Sequence, residues 1–311
     1  MKRLFIVLVL ASLAFSVVCE SMPVVRYIEF KVYDPVYVAL DKGFFTEEGV
    51  KVELVSSILA GPPAIQGVAS GSAEAALSSI MAISNAVANK IPIVGVADIQ
   101  SAIKGQPLEF YFARDDSGIT TIKGMIGKRW GINLLKSSFH YTALMAMDAV
   151  KMNPSDTTFV TLPFDKQIQA IMQNQIDMAS LMEPYASYLR AQPGYHVVFD
   201  GSDVFGEKQF SLIFVNSNWA KSHPDIARKF TTAIAKACRW IENNQNEARA
   251  IEAKYIGIDP RYVPEYHFQK NGQVNMADVA FWIKYMKSSG DITKPVIASQ
   301  VATNEYNALV K

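Results

Sequence analysis

Cysteine and histidine are scarce in this chain of 311 residues, which holds 2 of the first and 4 of the second. His140, His196, His223 and His267 are scattered, with no two at the short spacing of paired metal ligands. That argues against a transition-metal site, and no cofactor is expected. A surplus of charge of one sign is missing as well. The formal charge is +1, and no basic run lies beside aromatic residues, which argues against a nucleic-acid partner. There is no G-x-G-x-x-G, Walker loop, G-x-S-x-G elbow or H-E-x-x-H. Asp115-Asp116 lacks the spacing of a calcium loop and reads as a solvated turn. Triads are set by geometry rather than spacing, so the missing motifs lower the expectation of an enzyme without removing it. Beyond the first twenty or so residues no apolar run is long enough to cross a bilayer.

What is present starts at the N-terminus. Lys2 and Arg3 precede an apolar run from Leu4 to Val18, followed by Cys19, Glu20 and Ser21. That order is the basic, apolar and polar succession of a secretory signal peptide, here over residues 1–21. An exported, extracytoplasmic protein is expected. Cys19 stands where a lipoprotein cysteine would, although Ser16, Val17 and Val18 lack the small residue wanted just before it; cleavage after Ser21 fits equally. Without the signal Cys238 is the only cysteine, so no intramolecular disulfide forms. Its register with Ala227, Phe230, Ile234 and Ile241 places it on an apolar helical stripe, as a core thiol.

From Val24 onward strand-like and helix-like segments alternate. Val24–Tyr33 alternates apolar and polar residues, Pro35–Glu48 reads as a helix ended by Gly49, and Lys51–Val55 as a strand. Gly61-Pro62-Pro63 opens a helix closed by Gly71. Ala73–Leu77, Ile80–Asn89 and Ile91–Ile99 follow as strand, helix and strand. The cadence restarts with a strand at Lys128–Ile132, a helix at Ser138–Val150, and further alternation to a strand at His196–Asp200. Such alternation predicts βαβ units and largely parallel sheets. Leu108–Arg114 and Phe210–Asn216 match in length and apolarity and read as the strands that cross between two α/β lobes. The expected division is 22–112 for the first lobe, 113–212 for the second, and 213–311, mostly helical, returning to the first. No coiled-coil, low-complexity or short-period repeat appears.

In open α/β sheets ligands sit beyond the C-terminal ends of strands, beside helix N-termini. The loops there nominate Tyr33, Pro35, Tyr37, Gly61, Ser78, Ser79, Ser138, His140 and Glu183 as ligand-binding residues. Each has a plainer reading. Tyr33 and Tyr37 fit a core equally well, and Pro62 and Pro63 read as structural. Ser78, Ser79, Ser137 and Ser138 fit helix caps, which also turn free N–H groups toward a ligand. Glu183 lies between an apolar strand and Pro184, where a carboxylate is favoured by the helix dipole; as a cleft residue it would accept from an amine, amidine or aminopyrimidine.

These segments carry a family resemblance. The stretch from Asp34 to Leu54, DPVYVALDKGFFTEEGVKVEL, resembles the opening of substrate-binding proteins for nitrate, taurine, alkanesulfonates and thiamine pyrimidine precursors. GSAEAAL at Gly71–Leu77, IKG at Ile122–Gly124 with GKRWG at Gly127–Gly131, Glu183-Pro184, and HPDIARKF at His223–Phe230 continue it in the family's order. The resemblance implies a type II periplasmic-binding-protein fold: two α/β lobes, two hinge strands and an interlobe cleft that closes on a small molecule. It also implies delivery to the permease and ATPase of an ABC importer by a non-enzymatic, monomeric binding component. Val32–Tyr37 lacks the paired histidines of the pyrimidine-precursor branch, and the cysteine-rich motif of the fungal pyrimidine synthase on this fold is missing. The candidate loops hold no arginine to grip a sulfonate or nitrate bidentately. The expected cargo is a small organic nitrogen or sulfur compound, a sulfonate, taurine-like amine or pyrimidine. Two rivals stand beside this reading: an enzyme of pyrimidine-precursor or lyase type on the same fold, and a ligand-sensing module for a membrane receptor.

Overall fold

The computed structural model describes residues 21–58, 61–102 and 106–310. The export segment expected over 1–21, Cys19 included, lies outside them but for Ser21. The chain builds β1 (Val24–Phe30), α1 (Pro35–Asp41), α2 (Phe44–Glu47), β2 (Lys51–Ile58), α3 (Gly61–Ala69), β3 (Ala75–Ser79), α4 (Ile80–Ala88) and β4 (Ile93–Ser101). It then builds β5 (Glu109–Arg114), β6 (Arg129–Ile132), α5 (Ser138–Ala149), β7 (Thr158–Thr161), α6 (Phe164–Met172), β8 (Met178–Met182), α7 (Tyr185–Arg190), β9 (Tyr195–Asp200) and α8 (Gly201–Phe205). The return consists of β10 (Gln209–Asn216), α9 (Ser217–Ser222), α10 (Pro224–Asn243), α11 (Gln245–Ile256), α12 (Met276–Ser288) and α13 (Ala298–Val301). The single helix expected over 35–48 is two, because Gly43 takes a left-handed φ of 75° between them.

Two five-stranded sheets result, in the orders β2-β1-β3-β10-β4 and β7-β6-β8-β5-β9. In the first, β1 pairs in parallel with β2 and β3, while β10 runs antiparallel to β3 and β4. In the second, β6 pairs in parallel with β7 and β8, while β5 runs antiparallel to β8 and β9. Each sheet therefore has one antiparallel strand, and in each it is the strand that follows a passage between lobes. This corrects the expected boundaries, which cut β5 and β10 in two. Each of these strands lies whole in one sheet because its ladder is completed by one neighbour on each side. The chain changes lobe between Ser101 and Glu109 and again between Asp200 and Gln209.

Each sheet has its own core. The first gathers Tyr27, Ile80, Met81, Phe214 and Phe230, and the second Tyr111, Phe112, Trp130, Met147 and Leu181; Met182, Tyr185 and Val204 pack against both. α10 lies on the first core through Ala227, Phe230, Ile234, Cys238 and Ile241, the stripe expected from its register. Burying such large apolar side chains stabilises each lobe by roughly 1.5–3 kcal/mol apiece before entropy is counted. Cys238 is a free thiol buried in that core. No helix among the described residues is long and apolar enough to cross a membrane.

Candidate functional site in the interlobe cleft

Strand ends from both sheets meet at a cavity between the lobes. The first lobe contributes Phe30 at the end of β1 and Val32 after it, Gly61 and Pro62 at the start of α3, Ser78 and Ser79 at the end of β3, and Gln100, Phe210 and Ser211. The second contributes Glu109, Asn133, Ser137, Ser138, Phe139, Phe164 and Met182. Four helices thus begin here: α3, α4, α5 and α6. Their dipoles favour an anionic or hydrogen-bond-accepting group, as do the first-turn N–H groups of α4, α5 and α6; α3 opens with Gly61 and two prolines that have no N–H to offer. The free space within it is about 50 Å³, below the ~300 Å³ at the lower end of ligand pockets. At this point the lobes lie close together. Edge-on rings of Tyr141 and Tyr285 at 6.4 Å and of Tyr188 and Tyr262 at 5.5 Å join them, with Lys136 Nζ 3.8 Å from Asp291.

Local chemistry explains how the polar residues are held. Ser79 caps α4, its hydroxyl accepting from Ala82 N at 3.2 Å. Ser137 caps α5 by accepting from His140 N, and donates to Asn133 Oδ1 at 2.6 Å. Ser78 is 1% exposed, yet its hydroxyl has no hydrogen-bond partner among the described residues. Glycine at residue 61 lets the start of α3 sit close on β3, since a Cβ there would overlap Ser78 Oγ and force that hydroxyl to turn away. The remaining wall is largely aromatic, from Phe30, Phe139, Phe164 and Phe210.

Glu109 was not singled out by the sequence reading, and it is the strongest electrostatic feature of the cavity. It is 1% exposed. Its Oε2 accepts from Tyr111 OH at 3.0 Å, while Oε1 has no partner among the described residues. Burial pushes the carboxyl up to about 7, partly offset by the nearby hydroxyls of Thr142, Tyr111 and Ser138, of which Tyr111 makes the formed bond and Thr142 has no partner among the described residues. An acidic residue opening the apolar strand EFYFAR was the available signal.

The expected residues divide sharply. Gly61, Ser78, Ser79 and Ser138 line the cavity together. Tyr33, Pro35 and Tyr37 do not line it; their side chains are buried in the first lobe. Tyr33 stacks on Tyr266 with ring centroids 3.3 Å apart, and Tyr37 OH donates to Glu29 Oε2 at 2.7 Å and to Phe30 O at 2.6 Å. The reason is coverage: Glu252 of α11 accepts from Asp34 N at 3.1 Å, and the segment around Tyr266 closes over the loop. His140 also lies off the cavity. Its Nδ1 accepts from Lys136 N at 3.1 Å, its ring meets Phe159 edge-on, and burial lowers its basicity.

Glu183 lines an adjoining cavity of about 420 Å³, which shares Gln100 and Leu108 with the first and includes Arg190, Tyr266 and His267. Its carboxylate is already engaged, accepting from Ser187 N at 2.8 Å and Arg190 at 3.3 Å. That is the helix-start role expected as its plainer reading. Arg190, whose guanidinium lies 4.4 Å from the Phe110 ring centroid, was missed because it sits at the far end of α7.

Comparison with known proteins fits this arrangement. YtlA of Bacillus subtilis (strain 168) is 24% identical over 287 residues, covering 88% of this chain and 84% of that one. The riboflavin-binding protein RibY of Chloroflexus aurantiacus is 22% identical over 294 residues, covering 88% and 82%. The fold is that of the periplasmic aliphatic sulphonate binding protein SsuA from Escherichia coli, with a TM-score of 0.73 at 19% identity over 91% of this chain and 99% of that chain. The desulfurization enzyme DSZB shares it, with a TM-score of 0.69 at 14% identity over 91% and 97%. Two α/β lobes, two passages between them and an interlobe cleft make this the type II periplasmic-binding-protein fold. The profile of the NMT1/THI5-like family matches residues 32–248, and the chain belongs to that family.

Proposed function

We propose that the protein is the extracytoplasmic solute-binding component of an ABC importer, closing its lobes around a small organic nitrogen or sulfur compound such as a sulfonate, a taurine-like amine or a pyrimidine. One observation carries this reading: polar residues of both lobes line one cavity, among them Ser78 and Glu109, whose Oγ and Oε1 are buried with no partner among the described residues. An unpartnered buried polar atom costs about 1–3 kcal/mol, which a ligand bridging the lobes recovers only when they are closed. That difference between open and closed states is what drives closure. The shut cleft hides the cargo, and the closed outline is the form the importer's permease recognises.

The fold shared with DSZB keeps catalysis as the contrasting reading. The cavity-lining hydroxyls have no histidine among the lining residues to activate them, and Cys238 lies in the first lobe's core rather than in the cleft. These placements favour capture over turnover. Native mass spectrometry of protein purified without refolding is expected to show a bound small molecule. Returning that molecule to stripped protein is expected to reduce the radius of gyration in solution scattering. Chemical conversion of the bound compound by the protein alone would refute the transport reading.

A further inference from the structure

The four helix starts around the cavity suit an acceptor or anionic end of a ligand, and their serine hydroxyls, which can also accept, carry no charge to match a cationic donor. Glu109 supplies the opposite chemistry at the same place. It opens β5, directly after the passage from the first lobe, and its Oε1 is buried without a partner. The groups facing it are hydroxyls: Tyr111 on its own strand, Ser138 and Thr142 on α5. None of these brings a positive charge. A bare anion in this cavity gains the helix starts but leaves Glu109 desolvated, with hydroxyls as its only donors, or forces it to hold a proton. A ligand with an N–H or ammonium group satisfies both ends at once through a charge-assisted bond.

We propose that Glu109 is the specificity-determining residue of the cleft, taking an N–H or ammonium donor of the cargo, so that ligands carrying both a donor and an acceptor end are chosen over bare anions. The assignment rests on the capture reading above and deepens it. Because Glu109 lies where the chain passes between lobes, the donor it binds is held at the junction, while the acceptor end reaches Ser78 and Ser79 on one side and Ser137 and Ser138 on the other.

Titration calorimetry at pH 8 with matched probes tests this. The pairs are 2-aminoethanesulfonate against ethanesulfonate, and 4-aminopyrimidine against pyrimidine. In the wild type the amino member of at least one pair is expected to bind about tenfold tighter or more than its partner. In Glu109→Gln, confirmed as folded by circular dichroism, that preference is expected to shrink to about threefold or less. Equal binding of both members in the wild type overturns the assignment, and needs no variant to do so. An undiminished preference in folded Glu109→Gln overturns it as well. Tight ethanesulfonate binding that strengthens from pH 8 to pH 5.5 makes Glu109 a protonated donor to anions, again contrary to the proposal. Failure of every amino probe to bind removes the class assigned to Glu109. The capture function stands or falls separately, on the native mass measurement.

Discussion

The two lobes carry the same framework, and the likeness shows why only one of two matching loops reaches the cleft. In the first, Arg26 bonds Glu74 through its backbone N and Nε, and its Nη2 donates to Gly71 O at 2.9 Å. In the second, Arg129 does the same to Asp177, and its Nη2 donates to Asn174 O at 2.8 Å. Arg129 stands 103 residues after Arg26, as Asp177 does after Glu74 and Asn174 after Gly71. Gly71 and Asn174 both adopt positive φ, 79° and 58°. The ladders agree, with Tyr27 opposite Ala75 and Trp130 opposite Met178. At the same shift, α1 begins at Pro35 and α5 at Ser138, and α3 begins at Gly61 and α6 at Phe164. The second pair lines the cavity from both sides. The first pair diverges: the start of α5 opens on the cavity, whereas that of α1 is sealed by Glu252 and Tyr266 from the returning chain. Position within the lobe nominates a ligand loop, and the helices added to one lobe decide whether it is free to serve.

Replacing the two matching caps widens that contrast most. Asp34 is fully buried, accepts from Val36 N, and is the acceptor for Tyr27 OH at 2.6 Å. At pH 5.5 Asp34→Ala is expected to cost about 2–4 kcal/mol in chemical denaturation, since it strands the Tyr27 hydroxyl and a helix N–H. Ser137→Ala removes only a cap at the cavity edge and is expected to cost about 1 kcal/mol. Its larger effect is on ligand affinity, which Asp34→Ala leaves near that of the wild type wherever the variant remains folded. Equal stability losses would show that the α1 start is no more structural than its counterpart.

The sequence already disclosed the alternation of strands and helices, the amphipathic stripe of α10 and the serine caps, because these are set by neighbours a few positions away. It left Tyr33 and Tyr37 open, as cleft or core, because what covers them arrives more than 200 residues later, at Glu252 and Tyr266. Glu109 was hidden for a similar reason. Within EFYFAR it reads as the solvated end of a strand, and only the approach of Ser138 and Thr142 from α5 turns it into a buried carboxyl. The repeat of the lobes was equally hard to see, since it is kept by an arginine, an acid and a left-handed turn rather than by a run of like residues.

Acid stability offers the next test, with an effect shared between lobes. Burial raises Asp34 to about 7 and Asp98 to about 6 in the first lobe, and Glu109 to about 7 in the second. Glu252 is raised too, by burial and by the nearby Asp34. A carboxyl whose folded value exceeds its unfolded one contributes stability that is whole below about pH 4 and is lost as pH climbs through the folded value. The protein is therefore expected to melt roughly 5 °C or more higher at pH 5.5 than at pH 8. Asp34→Asn and Glu109→Gln are each expected to flatten the profile, one through each lobe. A melting temperature independent of pH over this range would mean that these carboxyls titrate as if solvated.

The smallest effect probes the framework itself. The side chains of Arg26 and Arg129 are 42% and 41% exposed, so solvent screens both pairs. Their acids lie deeper, with Glu74 at 13% and Asp177 at 14%, and each also accepts from the arginine's own backbone N. Arg26→Ala and Arg129→Ala are each expected to cost about 1 kcal/mol, and to agree within about 0.5 kcal/mol, because each removes the same set of contacts from the same strand position. The backbone bond to the acid survives in both, which keeps the losses small. Denaturation of the two variants side by side checks this. A clear inequality would mean that the 103-residue correspondence describes geometry without equal energetics, and that the returning helices support the first clamp in a way the second lobe has no counterpart for.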